Sequence, residues 1–206
     1  GKVDKKQAAA MIDRYMEGDF CYFDLHPGYL AGQAQEILRE LVVEKYPRES
    51  FFVANKMPYY NIHRYRDYEI IFKRELAECS VDFFDYYMLH ALTDDVYEMH
   101  EKLGGFAFLQ EKKKKGKIKH IGISFHDNPE LLEKILKEHA ELDFVQLQIN
   151  YFDWSSRAIR AEDCYKTARK YKKPIIVMEP IKGGSLANPV EVDGKVYQGR
   201  DLAAIS

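Results

Sequence analysis

The sequence predicts an α/β fold, a TIM (β/α)8-type barrel of which about six strand and helix units are present. Three observations predict it. Short apolar runs alternate with helical patterns along the chain. Successive runs begin about 30 residues apart, close to the roughly 31 residues per unit of a typical 250-residue barrel. The first run is followed by no GxGxxG motif, the usual mark of an open doubly wound sheet.

The strands are predicted at apolar runs that are rich in β-branched and aromatic residues. Each run is bounded by charged segments, as expected for the buried strands of a parallel sheet. The runs are FCYFD from Phe20, FFVANK from Phe51, FFDYYMLH from Phe83, HIGISF from His120, FVQLQIN from Phe144 and PIIVMEP from Pro174.

The helices are predicted between the strands, where apolar residues recur with a helical period. They are predicted over residues 33–45, 65–79, 96–115, 128–139 and 161–171. The lysine run that begins at Glu111 is expected to end the third of these helices at Gly116, because lysines favour the negative end of a helix. The opening stretch reads as a further helix that leads into the first strand.

The chain is predicted to form a single domain, residues 1–206. Because eight strands close a barrel, we expect this domain to be truncated at both ends, by about one unit each. The stretch ANPVEVDGKVYQGRD, from Ala187, has turn residues and little periodicity. It is predicted to be a loop before an unfinished helix.

Composition narrows the class of partner. The 31 basic and 33 acidic side chains leave a net charge of -2, which gives no field suited to nucleic acid or an anionic membrane. No apolar run approaches the roughly 20 residues that span a bilayer, and the opening stretch is not a signal peptide. We therefore expect a cytoplasmic protein with a small-molecule partner. The three cysteines are odd in number and far apart, so we expect inert core residues.

Polar side chains follow each of the predicted strands. In a barrel, chemistry takes place on the loops at the carboxyl ends of the strands, so these side chains are expected at one rim. In strand order they are Asp24, His26 and Tyr29; Asn55 and Lys56; His90; Ser124 and His126; Gln146, Gln148 and Asn150; and Glu179 and Lys182.

Four of these residues predict a proton relay for a carbonyl group. Tyrosine, with a reference pKa near 10, is a poor acid at neutral pH, but a cation beside it stabilises the phenolate. Lys56 directly follows an apolar strand, where an ammonium needs an acidic partner, and Asp24 can be that partner. Tyr29 is then the acid, and His90 can donate a hydrogen bond to the carbonyl oxygen. Taken singly, each residue also has an ordinary structural role.

The spacing of these residues resembles the aldo-keto reductase family. The sequence FD is followed five positions after Asp24 by Tyr29, then by a VANK strand that ends at Lys56 and by YYMLH, which ends at His90. The segments GKIKHIGIS, DFVQLQIN and MEPIKGGSL also resemble the family. The resemblance implies a general acid at Tyr29, tuned by the Lys56 and Asp24 pair, with His90 orienting the carbonyl.

The resemblance further implies a nicotinamide cofactor, NADPH in most members, although NADH stays open. Ser124 and Gln146 would hold the nicotinamide carboxamide. A turn would approach the cofactor phosphates, and its residues are Glu179, Pro180, Ile181, Lys182, Gly183 and Gly184.

The sequence departs from the commonest family pattern at several positions. Leu25 and His26 stand where Thr-Ala is usual, Ala34 and Gln35 where Ser-Glu is usual, and Phe125 and Met178 where Asn or Asp and a stacking tyrosine are usual. The sequence most resembles a bacterial subgroup of the family, whose members often carry a C-terminal ferredoxin-like domain with a 4Fe-4S cluster. Such a domain would follow Ser206, because these residues contain no cluster ligands.

Two other functions remain open. A metal-dependent hydrolase on the same barrel could use His26, His90 and His126 to hold zinc, but the sequence has no HxH pair and this function leaves Lys56 unexplained. A non-catalytic barrel that keeps the cofactor is the second. The carbonyl substrate, whether aldehyde, ketone or quinone, also stays open.

Overall fold

The computed structural model describes residues 3–188, 190–192 and 195–197. The chain divides into two compact units, Gly1–Ile123 and Ser124–Ser206. Six strands form one sheet whose order follows the chain, β1-β2-β3-β4-β5-β6, and the pairings of β1 with β2, β2 with β3, and β5 with β6 are parallel. The α/β class and the strand order of an incomplete (β/α) barrel are therefore confirmed, with six strands where a full barrel has eight.

The first unit contains strands β1 to β3, most of β4, and five helices. Helix α1 begins where the Asp4 side chain accepts hydrogen bonds from the amides of Lys6 and Gln7. The helix α2 continues as a wider π-helical turn over Arg39–Val43. The elements are α1 Lys5–Glu17, β1 Tyr22–Asp24, α2 Ala34–Leu38, β2 Phe52–Met57, α3 Tyr65–Cys79, β3 Phe84–Leu92, α4 Asp94–Leu103, α5 Gly105–Lys114 and β4 Ile118–Phe125.

The core of the first unit forms where α3 packs on the sheet. The Phe72 ring lies 5.0 Å from that of Tyr87 and 5.7 Å from that of Phe84, edge to face in both cases. Val53 and Leu89 are completely buried. Apart from Phe72, which belongs to α3, these residues come from the apolar runs that predicted β2 and β3.

The second unit begins with the last residues of β4. Asn128 starts helix α6 by accepting a hydrogen bond from the amide of Leu131. Leu132 and Ile135 of this helix are buried. The remaining elements are α6 Pro129–Glu138, β5 Phe144–Gln148, α7 Ala161–Lys170, β6 Ile175–Met178, β7 Val190–Val192 and β8 Lys195–Tyr197.

Two predictions of secondary structure were wrong. The helix predicted over residues 96–115 is two helices, because Gly104 adopts a φ of 81° and ends α4. Gly105 then starts α5 so close to His100 that an added Cβ would lie 2.7 Å from the imidazole. The loop predicted from Ala187 contains β7 and β8, an antiparallel pair on either side of the Asp-Gly sequence at 193–194. The unfinished helix predicted to follow lies outside the described residues.

Within the described part of the chain, no helix is both long enough and apolar enough to cross a membrane.

Candidate active site

A buried ion pair joins β1 and β2 near their carboxyl ends. The parallel register pairs Asp24 with Ala54, two residues before Lys56 on the same face of the sheet. The Lys56 side chain is 1% exposed, and its Nζ donates to Asp24 Oδ2 over 2.6 Å and to the carbonyl oxygen of Leu25 over 3.0 Å. Burial lowers the pKa of Lys56, and the Asp24 carboxylate opposes this effect.

Tyr29 lies against this ion pair. The Lys56 ammonium is 5.0 Å from the centre of the tyrosine ring, and Tyr29 is 42% exposed. The turn after Tyr29 is left-handed, with φ values of 52° at Leu30, 56° at Ala31 and 84° at Gly32. Left-handed backbone costs a non-glycine residue roughly 1–2 kcal/mol, so this turn stores strain directly beside the tyrosine.

Two histidine rings complete the group. The centre of the His26 ring is 4.1 Å from that of His90 and 5.2 Å from that of Tyr29. His26 is 5% exposed, and burial together with the nearby Lys56 ammonium lowers its pKa to about 4. His90 lies within β3 rather than after it, because the strand continues to Leu92. The structure therefore brings all four residues of the predicted relay together.

The predicted cofactor residues lie in the second unit. Ser124 and Gln146 are both 1% exposed, on β4 and β5. The Ser124 hydroxyl lies 3.8 Å from the sulfur of Met178, at the end of β6. Glu179, Pro180 and Ile181 follow this strand and are exposed.

The turn after β6 needs its two glycines for conformation rather than for space. Gly183 and Gly184 have φ values of 61° and 95°. A Cβ added at Gly184 would have no neighbour within 4 Å in the described part of the chain. The backbone at Gly184 is therefore open to a close approach by another molecule.

Asp153 holds the lysine of this turn, a role that the sequence analysis missed. Its carboxylate is 2% exposed and accepts hydrogen bonds from Lys182 Nζ at 2.5 Å and from the side-chain amides of Gln148 and Asn150. Burial would raise the pKa of Asp153, but these hydrogen bonds outweigh burial and lower it. The sequence contains a signal for this role, because Asp153 is the only acidic residue in the loop of residues 149–160.

These residue types fit a nicotinamide cofactor. A buried hydroxyl at Ser124 and a buried amide at Gln146 match a carboxamide, which both donates and accepts hydrogen bonds. The open glycine backbone and the Lys182 ammonium, whose side chain is 36% exposed, match phosphate groups.

The described residues contain no group of three or more His, Cys, Asp or Glu side chains arranged to hold a metal ion. The set of His26, His90 and His126 considered for zinc does not form one.

Comparison with known proteins supports the fold and identifies the family of the chain. The family model "Aldo/keto reductase family" matches residues 1–201. No curated protein matches the chain. The glycerol dehydrogenase of Gluconobacter oxydans superposes with a TM-score of 0.73 at 22% identity, over 98% of this chain and 62% of that one. An aldo-keto reductase of Bacillus halodurans gives 0.71 at 22% identity, over 94% and 62%. One from Brucella melitensis gives 0.69 at 17% identity, over 90% and 66%.

The chain thus spans about 62 to 66% of the length of these solved structures. At such identities the structures establish the fold, whereas the family model matches nearly every residue of the sequence. The chain belongs to the aldo/keto reductase family.

Proposed function

We propose that this protein is an oxidoreductase that reduces the carbonyl group of a small molecule with NADPH. The observation that carries the proposal is the buried Lys56 ammonium, which lies 2.6 Å from the Asp24 carboxylate and 5.0 Å from the centre of the Tyr29 ring. Burying an ammonium is costly, and a tyrosine close to it gains acidity, which is what protonating an alkoxide requires. The strained turn after Tyr29 supports a functional role for this residue.

In the proposed reaction, Tyr29 donates its hydroxyl proton to the carbonyl oxygen as that oxygen gains negative charge. Lys56 stabilises the resulting phenolate, and Asp24 keeps the lysine charged. His90 donates a hydrogen bond that orients the carbonyl. Bound NADPH would supply the hydride, so that one hydride and one proton convert the carbonyl compound to an alcohol.

The second unit is proposed to hold the cofactor. Ser124 and Gln146 would bind the carboxamide, and the turn from Glu179 to Gly184 would bind the phosphates. Asp153 would keep the Lys182 ammonium fixed for this purpose. The Asp153 carboxylate has little freedom to move, because three side chains donate hydrogen bonds to it. These roles are carried over from the family resemblance, and the positions of the glycines support them.

The test uses NADPH that carries deuterium at the transferred position, with a panel of aldehydes, ketones and quinones. We expect cofactor oxidation that depends on the carbonyl compound, and an alcohol with one deuterium on the former carbonyl carbon. Mass spectrometry of the product measures this directly. Cofactor oxidation that leaves no deuterium in the product would contradict the proposal. Binding of NADPH without turnover on any of these carbonyl compounds would instead favour the non-catalytic alternative.

A further inference from the structure

His26 has a buried hydrogen-bonding group that the relay does not use. Its Nδ1 accepts a hydrogen bond from the backbone amide of Gly28 over 3.0 Å. Its Nε2 is buried and has no hydrogen-bond partner among the residues that the structure describes. A buried polar group without a partner costs roughly 1–3 kcal/mol, so its presence calls for a physical explanation.

The bond from Gly28 fixes which nitrogen carries the proton. A neutral imidazole has one donor and one acceptor nitrogen, and because Nδ1 accepts, Nε2 must carry the hydrogen. Burial and the Lys56 ammonium keep the ring neutral at physiological pH, since they lower the pKa of His26 to about 4. His26 therefore presents a fixed, buried N–H donor.

The location of this donor distinguishes it from other buried histidine nitrogens. The rings nearest to His26 are those of Tyr29, Tyr60 and His90, at centre-to-centre distances of 5.2, 6.1 and 4.1 Å. Tyr29 and Tyr60 are 42% and 49% exposed, so both rings have room to move when a ligand enters. Hydrogen bonds of an active site commonly become complete only when the substrate is bound.

We propose that His26 is a second hydrogen-bond donor to the carbonyl oxygen of the substrate and acts beside His90. The proposal rests on the function proposed above. The substrate oxygen would accept the Nε2 hydrogen that has no partner in the free protein, and the proton would remain on the imidazole. As negative charge grows on the oxygen, this preorganised donor would stabilise it more strongly.

His100 is a matched control within the same unit. It is completely buried, burial lowers its pKa to about 3, and its Nε2 also has no hydrogen-bond partner within the described ranges. Its Nδ1 is hydrogen-bonded to the Tyr68 hydroxyl over 2.7 Å. The His100 ring packs against that of Tyr68, which has no part in the relay.

The first experiment records the imidazole N–H signals of protein labelled with ¹⁵N-histidine. Benzaldehyde is the probe, and toluene is the matched ligand that lacks the oxygen. We expect benzaldehyde to move the His26 Nε2–H proton signal downfield, toluene to leave it in place, and neither to move the His100 signal. A His26 signal that does not respond to benzaldehyde, or that responds equally to toluene, would overturn the proposal.

The second experiment compares His26→Phe, which keeps a ring but has no N–H, with His26→Gln, which carries an amide N–H near the same position. We expect His26→Phe to weaken benzaldehyde binding about tenfold and to lower kcat about 100-fold with a smaller change in KM. His26→Gln should stay within about tenfold of wild-type kcat, and His100→Phe should not change benzaldehyde binding. Circular dichroism tests whether each variant is folded. If a variant does not fold, the first experiment on the labelled wild-type protein still tests the proposal.

The outcomes separate the two proposals. A His26 signal that responds to benzaldehyde in a protein with no carbonyl turnover would support the donor and contradict the reductase. Turnover that requires Tyr29 but is equal in wild type and His26→Phe would support the reductase and overturn the role of His26.

Discussion

Two ion-pair clusters, each centred on a buried charge, lie at opposite ends of the strands of the first unit, and their surroundings differ in how completely hydrogen-bonding groups are paired. At the amino end, Asp85 is 1% exposed and accepts from the Val53 amide, from Arg48 and from Lys119. At the carboxyl end the buried partner is the cation, Lys56, which lies beneath a half-exposed phenol. A carboxylate and at least one cationic side chain form each cluster.

We expect the cluster around Asp85 to serve stability and, on the proposed function, the cluster around Lys56 to serve chemistry. The hydrogen bonds of Asp85 join β3 to its neighbouring strands and to the loop before β2. Near Lys56 the unit instead has a strained turn and a histidine nitrogen without a partner. A region that keeps unfavourable features is expected to do so for function, and one that is fully satisfied for stability.

The largest expected effect on stability comes from Asp85→Ala. The substitution leaves the Val53 amide buried without an acceptor and separates two cations from their carboxylate. We expect the free energy of unfolding to fall by about 3 kcal/mol, limited by the partial exposure of Arg48 and Lys119. Urea unfolding measures the loss. A loss below about 1 kcal/mol would show that this end of the unit is not the stabilising one.

Lys56→Met should have a large effect on turnover and little effect on stability. The variant replaces a buried ammonium with an apolar chain of similar length, and Asp24, whose side chain is 30% exposed, can still be hydrated. We expect turnover to fall about 100-fold while the free energy of unfolding stays unchanged or rises by about 1 kcal/mol. Steady-state kinetics and urea unfolding test both parts. Equal destabilisation by Lys56→Met and Asp85→Ala would contradict the expected difference between the two clusters in their contribution to stability.

The two ends should also lose stability in different pH ranges. The native pKa of His26 is about 4 against 6.5 for a free histidine, so between these values only the unfolded chain takes up the proton. Stability therefore falls as the pH drops from about 6.5 towards 4. The pKa of Asp85 is lowered from 3.8, because its hydrogen bonds to the Val53 amide, Lys119 and Arg48 outweigh burial, so its contribution is lost only below that pH.

His26→Phe should reduce the loss of stability between pH 7 and pH 5 by about 2 kcal/mol, because the group that takes up a proton on unfolding is removed. Urea unfolding at the two pH values measures it. Asp85→Ala should not change this difference. An unchanged pH dependence in His26→Phe would mean that this histidine is not held neutral in the native state.

The smallest expected effect concerns the turn after Tyr29. Ala31 has a φ of 56°, a region that glycine adopts without strain. We expect Ala31→Gly to raise the free energy of unfolding by about 0.5 kcal/mol, after the greater flexibility of glycine in the unfolded chain is subtracted. In the control, Ala10→Gly on the exposed face of α1, we expect a loss of about 1 kcal/mol. Loss of stability in both variants would show that the turn is not strained.

Much of this architecture was predictable from the sequence. The six strands were found because buried parallel strands are continuous apolar runs, and helix α3 because its apolar period is regular between clear ends. The break at Gly104 was missed, since a glycine pair within a helical pattern does not reveal whether one glycine will take a positive φ. The β7 and β8 pair was missed although Asp-Gly between alternating apolar residues is a hairpin signal.

The candidate site was predictable to a similar extent. Lys56 and Asp24 could be paired in advance because an ammonium at the end of an apolar strand needs a carboxylate. The carbonyl of Leu25 as a second acceptor could not be predicted, because every residue has a backbone carbonyl. Nor could the free Nε2 of His26, which depends on the bond from the Gly28 amide and on the packing of three surrounding rings.

Carbonyl-dependent NADPH oxidation by Tyr29→Phe tests the central claim most directly. The variant keeps the ring over Lys56 and removes only the hydroxyl. We expect NADPH binding, followed by fluorescence, to stay within about threefold of wild type, and turnover to fall at least about 100-fold. Tyr65→Phe, at a tyrosine of similar exposure whose hydroxyl bonds to Glu111, is the control and should keep wild-type turnover. Equal turnover in wild type and Tyr29→Phe would contradict the assignment of Tyr29 as the acid.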